Sequence, residues 1–378
     1  MDRESREKGE RKVMHVGSPN IGDQRLFFEK LENIFETKWL TNRGTFVQEL
    51  EAQLAQYLGV KHCISMCNGT IALEIAIKAL GLKGEVILPS FTFVATAHAL
   101  QWQEITPVFC DIDADSYNLS VEKIERLITP NTTGIIGVHL YGRPCDIDAL
   151  QAVSEKHNLL HMYDAAHAFS CGYKGRMIGN FGACEVFSFH ATKFFNTFEG
   201  GAIATNDDVL AEKIRLMQNF GFSGYDNVIY IGSNGKMSEI NAAMGIVNLQ
   251  SIDEFLSVNR RNYMHYCDAL SDLDSVKLIE HEDSNNSNWQ YIVIELVDAG
   301  IEVRDQLLST LHEYGVLARK YFWPGCHNME PYKSLYPNAN LLLPVTESLS
   351  KRVIVLPTGT SISSEDVEFV TSILKRHL

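Results

Sequence analysis

The strongest constraint on this chain is a rhythm running from about residue 60 to 205. Short apolar runs alternate there with helical patterns. HCISM (62–66) leads through NGT into the helical run IALEIAIKAL, and EVIL (85–88) precedes FVATAHALQW. TPVFC (106–110), TGIIGVHL (133–140), LLHMY (159–163), VFSF (186–189) and GAIAT (201–205) complete the apolar series. Runs of this length separated by helices predict strands buried on both faces of a mostly parallel sheet, and hence an α/β fold. Beyond about residue 252 charge rises and strands thin out. WQYIVIEL (289–296), a helix over 303–315 and a terminal helix capped by Ser363 or Ser364 predict a smaller C-terminal α+β domain. The expected division is a disordered tail over 1–13, a large domain over 14–251 and a small one over 252–378.

In an open α/β sheet, ligands bind at the carboxyl ends of the strands. Asp164 follows LLHMY. His190, Thr192 and Lys193 follow VFSF. Asn68-Gly69-Thr70 follows HCISM at a helix start, and Ser90, Thr92 and Phe93 follow EVILP. These points converge on one rim and meet the needs of pyridoxal 5'-phosphate. That cofactor requires a lysine amine for its Schiff base and a carboxylate for its pyridine nitrogen. Its phosphate suits a helix N-terminus, where free N–H groups and the helix dipole favour an anion. Lys193, Asp164, Gly69-Thr70 and Phe93 fill those roles in turn. Taken singly, each has an ordinary structural alternative: a solvated lysine, a capping aspartate, a turn-and-cap, a core phenylalanine. His167 and His190 also read as satisfied core histidines.

Other chemistries lack a sequence basis. A net charge of -14 opposes a basic nucleic-acid face. The eight cysteines form no CxxC pair or Cys/His cluster, so neither zinc nor a disulfide framework is expected. MDRESREKGERK lacks an apolar segment, and no later stretch approaches a membrane span, so a cytoplasmic protein is expected.

Residues 163–207, YDAAHAFSCGYKGRMIGNFGACEVFSFHATKFFNTFEGGAIATND, resemble the central block of the DegT/DnrJ/EryC1/StrS aminotransferases. WLTNRGTFVQELEAQLAQYLGVKHCISMCNGTIALEIAIKALG, LPSFTFVATAHAL, PVFCDIDADSYNLS, NGKMSEINAAMG and LPVTESLSKRVIVLPTGTSISSEDVEFV extend the likeness over roughly residues 14–378. The resemblance implies a pyridoxal-phosphate-dependent transferase of fold type I, acting on a nucleotide-linked keto sugar with L-glutamate as amino donor. It implies a homodimer with shared active sites. Lys193 would carry the cofactor and Asp164 would meet its ring nitrogen. Gly69, Thr70 and Ser188 would contact the phosphate, with Asn234 reaching it from the neighbouring subunit. Phe93 would stack on the ring, and His167 stands where many members carry Gln. Two departures from the family pattern are NGT in place of SGT and Phe198 ahead of Glu199. The implied substrate is dTDP-4-keto-6-deoxy-D-glucose, with a 3-keto sugar nucleotide as the alternative. A non-catalytic regulator on this fold is opposed by the intact Lys193–Asp164 pair. The pathway served (O-antigen, flagellin glycan or antibiotic sugar) stays open. For the substrate's diphosphate and sugar, Arg43, Arg319, Lys320, Tyr321, Trp323 and His327 are candidates, each with surface solvation or packing as its alternative.

Overall fold

The computed structural model describes residues 12–281 and 287–378. The tail expected over residues 1–13 lies almost wholly outside them. Fourteen strands are found among the described residues: β1 (Met14–His15), β2 (His62–Met66), β3 (Glu85–Pro89), β4 (Thr106–Cys110), β5 (Thr132–Val138), β6 (Leu160–Asp164), β7 (Gly172–Tyr173), β8 (Arg176–Met177), β9 (Glu185–Ser188), β10 (Gly201–Thr205), β11 (Val276–Leu278), β12 (Ile292–Leu296), β13 (Val316–Leu317) and β14 (Val353–Leu356). Seven build one sheet in the order β2-β10-β9-β6-β5-β3-β4. The pairs β4–β3, β3–β5, β5–β6 and β6–β9 are parallel, whereas β10 runs antiparallel to both β9 and β2.

Strand alternation divides the core between the sheet's two faces. In β3, Ile87 packs into one cluster with Leu50, Phe187 and Phe189. Its neighbours Val86 and Leu88 join the opposite cluster with Leu73, Ile77 and Ile203. Full burial of such side chains contributes about 1.5–3 kcal/mol each, which explains why the strand runs are apolar throughout.

The helix Gly69–Leu80 shows how sequence sets an element's limits. Asn68 caps its start, accepting the Ile71 N–H at 2.8 Å, and Gly81 ends it in the left-handed region at φ 74°. That conformation suits a residue without a Cβ. The terminal helix Ser364–His377 starts from Ser363 in a capping box with Asp366.

Ser251 separates the helices Glu239–Gln250 and Ile252–Leu270. Beyond it, β11, β12 and β14 form an antiparallel sheet, packed in one cluster with residues of helices Ile252–Leu270, Ile301–Glu313 and Ser364–His377. Met14, where the sequence reading begins the large domain, lies in this cluster, and its strand β1 pairs with β13. A fourth cluster joins the two parts of the chain. Phe91, Tyr141 and Val138 come from the rim of the large sheet, and Tyr291, Phe322, Val353 and Val355 from the C-terminal part.

Candidate active site

A cavity of about 580 Å³ opens at the carboxyl ends of the parallel strands, against that fourth cluster. Gly69, Thr70, Phe93, Asp164, His167, Ser188, His190 and Lys193 all line it.

The floor is a helix start pressed against two strands. A Cβ on Gly69 would lie 3.0 Å from the Ser188 Cβ, and one on Gly201 would lie 2.8 Å from the Gly69 nitrogen. Such spacing draws the helix against the sheet. The Ile71 amide is satisfied by the Asn68 side chain and the Ala72 amide by the Asn68 carbonyl. No acceptor is found among the described residues for the amides of Gly69 and Thr70. Two free donors at a helix N-terminus, beside a serine, form a cup for an anion.

Asp164 ends β6 and is 5% exposed. One carboxylate oxygen accepts the Ala166 N–H at 3.0 Å, and the other accepts the Thr96 hydroxyl at 2.7 Å. Burial pushes its pKa up, while Thr96, Ala166, Lys193 and His139 pull it down. A buried carboxylate facing a cavity suits a cationic N–H partner there.

Lys193 sits in the loop between β9 and β10, half-buried, with Nζ 3.3 Å from the Tyr291 hydroxyl. Removal from water lowers its pKa to about 8, against the opposing pull of Asp164. A lysine so placed holds a usable neutral fraction near physiological pH. His167 is buried, and burial lowers its pKa well below the usual histidine range. Its Nδ1 accepts the Tyr141 N–H at 3.3 Å, which places the remaining ring proton on Nε2. The ring lies parallel to that of Phe322, with centroids 5.6 Å apart. Phe93 is 56% exposed and stands at the cavity wall, 6.4 Å from Phe322.

An anion cup, a buried carboxylate, a desolvated lysine and an open aromatic face fit pyridoxal phosphate in size and donor set.

Of the proposed substrate contacts, only Tyr321 lines the cavity. Arg43 pairs at 3.2 Å with the buried Glu51, which also holds Arg215 at 2.8 Å. Lys320 pairs with Asp305 at 3.2 Å. The Arg319 guanidinium lies over the Tyr321 ring, 5.0 Å from its centroid, and Arg304 lies over Trp323 at 5.1 Å. His327 is buried between Ser90 (2.6 Å) and Glu347 (2.9 Å), where burial lowers its pKa. Asn234 is exposed and does not line its own chain's cavity, although its neighbour Gly235 accepts the Cys67 N–H at 2.8 Å.

Sequence reasoning missed Gln290 and Tyr291 just ahead of β12, Phe322, and the pair Val16-Gly17, all of which line the cavity. The Gln290 Nε2 is buried beside Tyr291. Gly17 lies so close to the lysine loop that a Cβ there would sit 2.9 Å from the Thr192 Cβ. The only available signal was the aromatic pair following Arg319-Lys320.

Comparison with known proteins agrees with this geometry. The chain is 39% identical over 365 residues, 96% of its length and 99% of the relative's, to a dTDP-4-amino-4,6-dideoxy-D-glucose transaminase of Shigella dysenteriae. It is 36% identical to a GDP-perosamine synthase of Caulobacter vibrioides, covering 96% of this chain and 98% of the other. The crystal structure of DesI in the presence of its TDP-sugar product superposes with a TM-score of 0.92 at 44% identity, covering 97% of this chain and 93% of that one. Residues 22–375 match the DegT/DnrJ/EryC1/StrS aminotransferase family. The chain belongs to that family, whose cofactor is pyridoxal 5'-phosphate.

Proposed function

We propose that this enzyme moves the amino group of L-glutamate to C4 of dTDP-4-keto-6-deoxy-D-glucose, giving dTDP-4-amino-4,6-dideoxy-D-glucose. The observation that carries the reading is the convergence of Lys193, Asp164 and the free Gly69 and Thr70 amides on one cavity. The relative that bears this activity in its name supplies the choice of substrate.

In this reading the Gly69 and Thr70 amides and the Ser188 hydroxyl would hold the cofactor's phosphate, and Asp164 would keep the ring nitrogen protonated. His167 offers its Nε2–H to the ring's edge, and Phe93 covers one ring face. When bound, pyridoxal phosphate supplies a carbon for reversible imine exchange and a protonated ring that accepts electrons from the donor's α-carbon. Lys193 Nζ would take the proton from the glutamate α-carbon and deliver it to the cofactor carbon two atoms away, across the intervening nitrogen; its depressed pKa suits it to that task. For the keto sugar the same nitrogen works in the opposite direction. Tyr291, in hydrogen-bond reach of Lys193, orients it for both transfers.

Lys193, His167 and His190 are the basic residues lining the cavity, and burial disfavours the charged form of His167. The substrate's diphosphate therefore draws its cations from outside this wall. A homodimer with shared sites supplies them, and it brings Asn234 of the partner subunit to the phosphate. The exposed apolar residues Val228, Ile229 and Ile231 support that assembly. We divide the chain into a large unit over 14–251 and a small one over 252–378, with the cavity where they meet. A cytoplasmic location fits the eight free cysteines, and no helix among the described residues is long and apolar enough to cross a membrane.

The test is incubation with pyridoxal phosphate, L-glutamate and dTDP-4-keto-6-deoxy-D-glucose, with the product read by mass spectrometry and NMR. An equatorial amine at C4 is expected. Conversion of the cofactor by glutamate without a sugar product would exclude this substrate and direct the assay to GDP-linked and 3-keto sugars. No response of the cofactor to glutamate would overturn the donor assignment.

A further inference from the structure

We propose that Thr96 is the positioning residue for the Asp164 carboxylate, holding it ionised and aimed at the ring nitrogen of the cofactor. The proposal rests on the reading of Asp164 as that nitrogen's partner. Thr96 lies in the first turn of the helix Ala95–Gln101 and is fully buried. Its hydroxyl reaches one Asp164 oxygen at 2.7 Å, while the Ala166 N–H holds the other at 3.0 Å. The His139 N–H fixes the Asp164 main-chain carbonyl at 3.0 Å. Each carboxylate oxygen thus has one protein donor, and the side chain cannot rotate without breaking both bonds.

The hydroxyl also discriminates between the two states of the acid. Thr96 has one proton to donate and a second acceptor within reach, the Phe93 carbonyl at 3.1 Å. Donation to an anion is stronger than donation to a neutral carbonyl. The proton therefore goes to Asp164 while the acid is ionised and can turn to Phe93 when it is not. Thr92, with its hydroxyl 3.2 Å from that of Thr96, can donate into the lone pair left free. Lys193 adds favourable charge near the carboxylate, His139 lies on its main-chain side, and the Tyr291 hydroxyl is a further titratable group nearby. Burial acts against all of them, so loss of the Thr96 donor leaves an acid that takes up a proton at higher pH.

The experiment measures the equilibrium dissociation constant of pyridoxal phosphate from the full-length protein between pH 6 and 9, by fluorescence titration of the cofactor-free form. The proteins compared are wild type, Thr96→Val, Thr96→Ser and Thr96→Cys, with melting curves to establish folding. The informative quantity is the ratio of each variant's constant to that of wild type, because the Lys193 titration cancels in it. For Thr96→Val the ratio is expected to be about tenfold or more at pH 6, falling toward one at pH 9. Thr96→Ser should stay near one throughout. With a deaza analogue whose ring lacks the nitrogen, the Thr96→Val ratio should be near one at every pH. A ratio independent of pH, or a Thr96→Ser variant as weak as Thr96→Val, would mean a packing role and overturn the proposal. Should Thr96→Val not fold, Thr96→Cys, similar in bulk but a much weaker donor, carries the same comparison. A wild-type protein that binds no cofactor at any pH would instead refute the underlying reading of the site.

Discussion

The two walls of the cavity are built in different ways. The inner wall is the rim of the large sheet. Asp164 and Ser188 end central strands paired on both sides, Gly69 follows the edge strand β2, and Lys193 sits in the loop that joins the paired strands β9 and β10. The outer wall is Gln290, Tyr291, Tyr321 and Phe322, brought in from the C-terminal part across an aromatic cluster. The inner wall carries the charges and free amides, and the outer wall offers ring faces, two phenols and an amide. Groups that must be placed to a fraction of an ångström come from the stiffer framework, in keeping with how preorganised sites are built. A wall of packed rings attached through a second sheet can vary with less cost to the chemistry.

If that contrast is right, inner-wall substitutions should be far more damaging to turnover. Lys193→Ala removes the proposed anchor of the cofactor and the proposed proton carrier, and steady-state assays should show a loss of more than about 10³-fold. Asp164→Asn leaves the cavity's shape but removes its fixed negative charge. We expect about a 10²-fold loss in the glutamate half-reaction, followed by stopped-flow absorbance. Gly69→Ala pushes a methyl against Ser188, so the cofactor's dissociation constant should rise about tenfold, measurable by dialysis. On the outer wall, Tyr291→Phe removes one hydrogen bond to Lys193 and should slow turnover by no more than about tenfold. A Tyr291→Phe variant as inactive as Lys193→Ala would erase the distinction between the walls.

The pH dependence sharpens the same contrast. Lys193 attacks as the neutral amine, and its folded-state pKa is lowered to about 8. The rate of cofactor capture by the cofactor-free protein should therefore rise with pH and level off above about 8, instead of climbing toward 10.

His327 is the smallest expected effect on chemistry. It was a candidate for substrate contact, but both its ring nitrogens are engaged, by Ser90 and Glu347. His327→Ala should lower unfolding stability by about 1–3 kcal/mol in denaturant titration while the half-reaction rate stays near that of wild type.

Legibility from sequence follows the same division. Strand-end residues can be read because an apolar run, a break and a polar residue are contiguous in the chain, as in LLHMY-Asp164 and HCISM-Asn68-Gly69. Arg43 and Lys320 lie away from their own chain's cavity for a physical reason that the sequence does not show: folding brings each beside a carboxylate partner, Glu51 and Asp305. Thr96 reads as an ordinary interior residue of a helix, because its bond to Asp164 spans 68 positions. Gln290 and Tyr291 immediately precede a strand of the C-terminal part, and nothing local marks them as facing the other half of the molecule. The reversed direction of β10 was equally hidden. GAIAT is buried on both faces and reads the same in either orientation.

That reversed strand has a consequence for how this site can change over evolutionary time. Ser188 and Gly201 are register partners across β9 and β10, so the chain leaves the sheet at one and re-enters beside it at the other. Residues 189–200, with Lys193 among them, form a closed loop on a paired neck. Gly201 is also paired with Met66, at the end of the strand that leads to the phosphate cup. Both ends of the segment are fixed on the sheet, and Phe189, Phe194 and Phe195 within it pack into the main core, so change around Lys193 has to preserve both the neck and that packing.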